Sequence, residues 1–169
     1  MSDATTPRLA MPLLQAGQAQ KEMTHNEALA LLDLAVQGAV IGVGETVPPA
    51  APQQGQCWIL GAQPEGLWIG HADAVAGWTS GGWRFLSPRD GMRFWVSATA
   101  GFASFSGGEW RLGESHGKVF IEGIQVVGSQ VQNLVEPTEG ACVDAEARAA
   151  IVAVLEALRH HGLIGNAEL

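Results

Sequence analysis

Tyrosine is absent from this chain, and lysine occurs only twice, at Lys21 and Lys118. Charged residues make up 15 % of the 169 positions, well short of the usual quarter, and the net charge is −8. A phosphate backbone needs a basic footprint, so nucleic acid and anionic membrane surfaces are not expected partners. Long hydrophobic runs are missing as well. The longest, around residues 28–40, is broken by Asp33, Gln37 and Gly38, so no membrane insertion is expected. The N-terminus carries one arginine and a short apolar patch, too little for a signal peptide, which points to synthesis in a cytoplasm. Cys57 and Cys142 lack metal-ligand spacing and read as two buried thiols. No GxSxG, P-loop, HExxH or CxxC motif occurs. His71-x-Asp73 has no third ligand at a readable spacing. No catalytic residue, metal or cofactor is therefore expected. The chain reads as a recognition or assembly protein rather than an enzyme.

Apolar residues, by contrast, are abundant at 47 %, and the mean hydropathy is +0.12. A chain of this length has one good core to fill. Apolar surface beyond that goes into subunit interfaces, so a homo-oligomer is expected, a trimer or a pentamer. All six tryptophans fall in the central third, at Trp58, Trp68, Trp78, Trp83, Trp95 and Trp110. Paired glycines punctuate that third. Trp78-Thr-Ser-Gly-Gly-Trp83-Arg-Phe is echoed by Phe105-Ser-Gly-Gly-Glu-Trp110-Arg-Leu, which predicts two equivalent hairpins. Further short strands are expected near residues 36–43, 56–60, 67–69, 84–86, 93–97, 102–105 and 119–132. A single helical turn is expected near 71–77.

Two helices flank this module. The first follows an extended arm, with Thr24 as cap and Glu27 at capping-box spacing. Leu29, Leu31, Leu32 and Leu34 point nearly all round it, with only Asp33 interrupting. Such a helix is expected to be buried on all sides, most simply between subunits. The C-terminal helix has Asp144 as its cap and Gly162 as its left-handed terminator. Its stripe of Ala147, Ile151, Val154 and Leu158 can pair with a copy of itself or pack on the sheet. The fold class is α+β in three parts. Residues 1–44 form the arm, helix and first strand; residues 45–135 form the Trp-rich antiparallel module; residues 136–169 form the terminal helix. A Pro-rich stretch at 46–54 marks the first boundary.

Guanidinium groups beside indoles suit sugar rings, which stack on Trp and offer hydroxyls to Arg. Trp83 with Arg84, Trp110 with Arg111, and Arg93 with Trp95 are therefore the candidate ligand-binding residues. The bland alternative is that these tryptophans are core and the arginines cover its edges. Acids such as Asp90, Glu109, Glu114 and Glu122 also permit a glycan-cleaving enzyme, the weakest reading.

Residues 12–37, with the QAQK-x-x-THNEAL stretch, and the run WTSGGWRFLSPRDGMRFWV at 78–96 resemble a family of unknown-function proteins. That family occurs in bacterial prophages and phage-derived gene transfer agents, beside tail and host-specificity genes. The helix at 143–164 is similar to terminal helices of such appendage proteins. The resemblance implies a virion structural protein, part of a capsid head spike or a tail fibre supporting host attachment, with capsid, tail and spike or fibre proteins as partners. It brings no catalytic residues. Members are often longer, with C-terminal receptor-binding regions, so a base or adaptor role is expected here. Direct binding of cell-surface polysaccharide is the alternative.

Overall fold

The computed structural model describes residues 5–15, 17, 21–137 and 144–165, and Cys142 lies outside them. Among the described residues are two α-helices and ten strands, an α+β fold as the sequence predicts. The chain forms two compact units, Met1–Ser115 and His116–Leu169. The boundary between them, at 115/116, coincides with neither of the composition shifts at 44/45 and 135/136. The reason for the first is that strands from the N-terminal segment are built into the sheets of the Trp-rich region.

The first unit opens with a short arm in which Thr5 bridges Pro12. Helix α1 follows at Lys21–Ala35. It already includes Thr24, so the cap expected there is not formed. Asn26 instead clamps the arm: its Oδ1 accepts from Leu14 N at 2.9 Å and its Nδ2 donates to Leu14 O at 3.0 Å. The expectation of all-round burial also fails within the chain. Leu34 and Asp33 are buried, Leu29 and Leu31 are half-buried, and Leu32 is 49 % exposed. The one polar break in the apolar belt is thus on the inward face.

Two four-stranded sheets follow. The segment expected as one strand near 36–43 splits into β1 (Ala39–Val40) and β2 (Val43–Glu45), which join different sheets. The first sheet has the order β2-β3-β4-β5, with β3 at Cys57–Leu60, β4 at Val75–Thr79 and β5 at Gly82–Leu86. The second has the order β1-β6-β7-β8, with β6 at Arg93–Val96, β7 at Gly101–Ser106 and β8 at Glu109–Leu112. In each sheet an edge strand pairs in parallel with the first strand of an antiparallel three-strand meander. The short sequence repeat therefore marks a repeat of the whole four-stranded unit. Two local expectations change. Residues near 67–69 form a 3-10 turn at Gly66–Trp68 instead of a strand, and β4 takes the last three residues, 75–77, of the segment expected as a helical turn.

The registers make the two hairpins equivalent. Trp78 faces Trp83 in one, and Phe105 faces Trp110 in the other. Gly107 and Gly108 both have positive φ, +62° and +87°, as a two-residue type I′ turn requires. In the first hairpin the left-handed residue is Gly82, after the Ser80-Gly81 loop. There Thr79 Oγ1 accepts from Gly81 N at 3.2 Å and donates to Gly82 O at 2.8 Å.

Side-chain alternation along β3 explains the core. Cys57 and Ile59 point into one cluster with Leu34, Val40, Val75, Phe94, Val96 and Ala103. Trp58 and Leu60 point into a second cluster with Trp68 and Ala76. The first sheet is therefore covered on both faces. Helix α1 closes onto it where β4 offers a glycine: a Cβ on Gly77 would overlap the Leu34 methyls.

The second unit is a hairpin, β9 (Val119–Ile121) with β10 (Ile124–Val127), and helix α2 (Ala145–His160). Asp144 caps α2 by accepting from Ala147 N at 2.9 Å. At the other end Leu163 N donates to Leu158 O and Gly162 N to Arg159 O, both at 2.9 Å, with Gly162 at φ +67°. These are the two bonds of a Schellman terminator, as the sequence predicts. Arg159 ties the helix to the preceding segment through Glu136, at 2.9 Å, and Asn133, at 2.8 Å. Among the described residues of this unit, Leu155 and Ile164 are the buried hydrophobic ones.

Candidate binding site

Sequence neighbours in a strand point to opposite faces, so Trp-Arg dipeptides cannot act as joint stacking platforms. The structure separates both pairs for this reason. Trp83 turns into the second core cluster, with its ring centroid 5.0 Å from Trp78, 5.1 Å from Trp68 and 5.6 Å from Trp58. Arg84 turns the other way and binds Glu27 of α1 at 2.7 Å. Trp110 packs against the first cluster and donates from Nε1 to Asp73 O at 2.7 Å. Arg111 lies on the opposite face, 3.6 Å from Glu114.

Arg93 and Trp95 are two apart and share a face. Burial along β6 alternates, with Arg93 and Trp95 exposed and Phe94 and Val96 buried. Register brings other residues to the same face. Phe102 lies opposite Trp95, and Ser104 opposite Arg93; Arg111 follows Ser104 on β8. The result is two rows. The apolar row is Trp95 and Phe102, 38 % and 39 % exposed, meeting edge to face with centroids 5.1 Å apart. The polar row is Arg93, Ser104 and Arg111. The Arg93 guanidinium sits 4.0 Å from the Phe102 ring centroid, a cation–π contact. Neighbouring strands lie about 4.8 Å apart, so the two arginine positions are roughly 10 Å apart with a hydroxyl between them. This face can stack a flat apolar ring and donate hydrogen bonds to an anion beside it.

Phe102 and Ser104 were not among the sequence candidates. The available signal was the alternation of Arg93-x-Trp95 carried across a predicted turn to Phe102-x-Ser104.

Of the remaining features, His71 stacks flat on Phe85 at 3.6 Å, at an interplanar angle of 4°, and is occupied in packing. Among the described residues no group of three or more His, Cys, Asp or Glu is placed to hold a metal ion. Burial pushes the Cys57 thiol up from 9.0 to about 11, with Asp33 adding to the rise and Arg8 opposing it. Cys57 is an inert core thiol at neutral pH. Of the expected assembly residues, Leu34 is fully buried in the chain. Ile151 and Val154 are 47 % and 59 % exposed, and Leu158 is half-buried.

The fold and this face define a duplicated β-sheet module with an exposed aromatic–arginine surface. The chain belongs to the family described as Protein of unknown function (DUF2793), whose model matches residues 25–111. The match runs from within α1 to Arg111 in β8, so it takes in both sheets and both rows. No curated protein matches the chain.

Proposed function

We propose that this chain is a structural component of a phage-like particle of the gene-transfer-agent type, the base or adaptor of a head spike or tail fibre, assembled as a homo-oligomer. The observation that carries the assembly part is the surface of the second unit. Twelve large hydrophobic residues there are exposed: Val119, Phe120, Ile121, Ile124, Val126, Val127, Val131, Leu134, Val135, Ile151, Val154 and Leu163. Each leaves roughly 40–70 Å² of apolar surface in water, so together they leave on the order of 500–800 Å². A stable interface buries about 800 Å² per partner. The β9–β10 hairpin strengthens the argument. It is exposed on both faces, and a lone two-stranded hairpin is marginal in water. Ala147, Ile151 and Val154 form an exposed stripe on α2 at spacings of four and three, the pattern of a helix seam. A second copy supplies a matching stripe and hairpin by symmetry. The mechanism is large-area apolar association and not chemistry. Particle membership rests on the resemblance of residues 12–37 and 78–96 to appendage proteins.

Sedimentation of the full chain tests the assembly. The wild type is expected to be oligomeric, and the double variant Ile151→Asp, Val154→Asp to dissociate with both sheets intact. A monomeric wild type at tens of micromolar would refute it. Cryo-EM of purified particles with the chain tagged tests location; absence of the tag from particles removes the virion reading.

A further inference from the structure

We infer that the outer face of the second sheet is a binding site for an acidic saccharide, a pyranose ring bearing a carboxylate. The internal repeat carries the argument. Aligning the two sheets on their hairpins places Arg93, Ser104 and Arg111 where the first sheet has Cys57, Gly77 and Arg84. It also places Trp95 and Phe102 where the first sheet has Ile59 and Val75. In the first sheet this face is dry: Cys57, Ile59 and Val75 are buried, and α1 lies over Gly77. In the second sheet the same face is open, and its residues are changed in kind. Cysteine and glycine give way to arginine and serine, and aliphatic side chains to two half-exposed aromatic rings.

The first sheet also shows what an arginine at this position does. Arg84 takes a carboxylate, Glu27, from the element that covers the face. Its counterpart Arg111 has only the 3.6 Å approach of Glu114, and both side chains of that pair are over 40 % exposed. Arg93 adds a second guanidinium, and no carboxylate lies within ion-pair distance of it among the described residues. Two guanidiniums on one row are locally charge-complementary to an anion. Trp95, beside the Phe102 ring that Arg93 covers, accepts the C–H face of a sugar ring. Ser104, between the arginines, offers a hydroxyl to the ring substituents. A uronate supplies all three features on one residue.

This site stands independently of the assembly proposal, because the residues involved lie on the first unit. Calorimetric titration of the full-length protein tests it, with oligogalacturonate, its methyl ester and a neutral maltooligosaccharide as probes. The acid is expected to bind, the ester to bind about tenfold more weakly, and the neutral sugar more weakly still. Arg93→Ala and Trp95→Ala should each lower affinity for the acid by about tenfold, while Arg84→Ala leaves it unchanged. Both site residues are exposed, so a melting curve should stay near wild type and separates lost binding from lost fold. The inference fails if the wild type binds none of the probes, if ester and neutral sugar bind as well as the acid, or if the site variants bind normally. Tighter binding of a single-stranded oligonucleotide would overturn it in favour of another ligand class. A change in sedimentation of Trp95→Ala would overturn it in favour of a subunit contact.

Discussion

Asp33 should be among the most damaging positions to alter in the first unit, even though it interrupts the apolar stretch 28–36 of its helix. It is 1 % exposed. Its Oδ1 accepts from Thr6 Oγ1 at 2.7 Å and from Leu9 N at 2.7 Å, and its Oδ2 accepts from Arg8 N at 3.0 Å. Thr6 Oγ1 in turn accepts from Met11 N at 3.0 Å. The Arg8 guanidinium donates to the carbonyls of Asp33, Leu34 and Gln37, which are left open at the end of α1. One carboxylate thus holds the turn of the arm against the helix. Asp33→Ala removes three charge-assisted bonds and leaves buried donors without acceptors. Each such bond contributes about 1.5–3 kcal/mol, and water entering the site recovers part of the sum. The expected net loss is about 3–5 kcal/mol, from a total of about 5–15. For a chain of this size that is a fall of roughly 6–20 °C in melting temperature. Asp33→Asn keeps an acceptor for Thr6 and Leu9 but sets an N–H against Arg8 N, and should lose about 1–3 kcal/mol. Urea unfolding at fixed protomer concentration gives both values, and hydrogen exchange of the Arg8 and Leu9 amides reports the latch directly. An alanine variant that loses less than about 1 kcal/mol at unchanged denaturant slope, or whose Arg8 and Leu9 amides stay protected, would refute the reasoning.

Gly162→Val should cost about 1 kcal/mol or more, because a β-branched residue resists the φ of +67° that closes the Schellman bonds; an unchanged melting temperature of the second unit would count against it. In a Cys142→Ser background, Cys57 should stay unmodified by a thiol reagent at pH 8, and rapid labelling of the folded protein would contradict its burial. The thiol pKa is higher folded than unfolded, so its contribution to stability is complete below about pH 9 and is lost as pH rises towards 11, which denaturation at stepped alkaline pH can follow.

Legibility in the sequence followed the range of the interactions. The two hairpins and the C-terminal helix depend on residues within a few positions of one another, on paired glycines, on Asp144 and on Gly162, and all were readable. The burial of α1 was not. Counting apolar residues makes Asp33 the break in the belt and Leu32 part of it. Asp33 is inward because Thr6, Arg8 and Leu9, more than twenty positions earlier, bring it their donors. The parallel pairing of β1 and β2 is equally non-local, and nothing in a two- or three-residue strand announces its partner. The candidate site was half legible for a different reason. Adjacency of Trp and Arg in sequence drew attention to Trp83 and Trp110, yet adjacency in a strand separates side chains. Only Arg93 and Trp95, at a spacing of two, met the geometric condition for acting together.

Duplication gives a physical account of why one sheet is scaffold and the other carries an open face. A sheet needs one face covered to be stable. The first copy has both covered, by the Trp58–Trp68–Trp83 cluster on one side and by α1 with the shared core on the other. The second copy contributes Phe94, Val96 and Ala103 to that same shared core, which meets its requirement with one face. Its other face is then free of any packing constraint. Polar or aromatic residues placed there cost the fold little, since no core atom depends on them. That freedom is what permits Arg93, Trp95, Phe102 and Arg111 to occupy positions whose counterparts in the first sheet, apart from Arg84, must be small or aliphatic. Arg84 is the exception that fits the rule, because it lies at the edge of the covered face and α1 brings it Glu27.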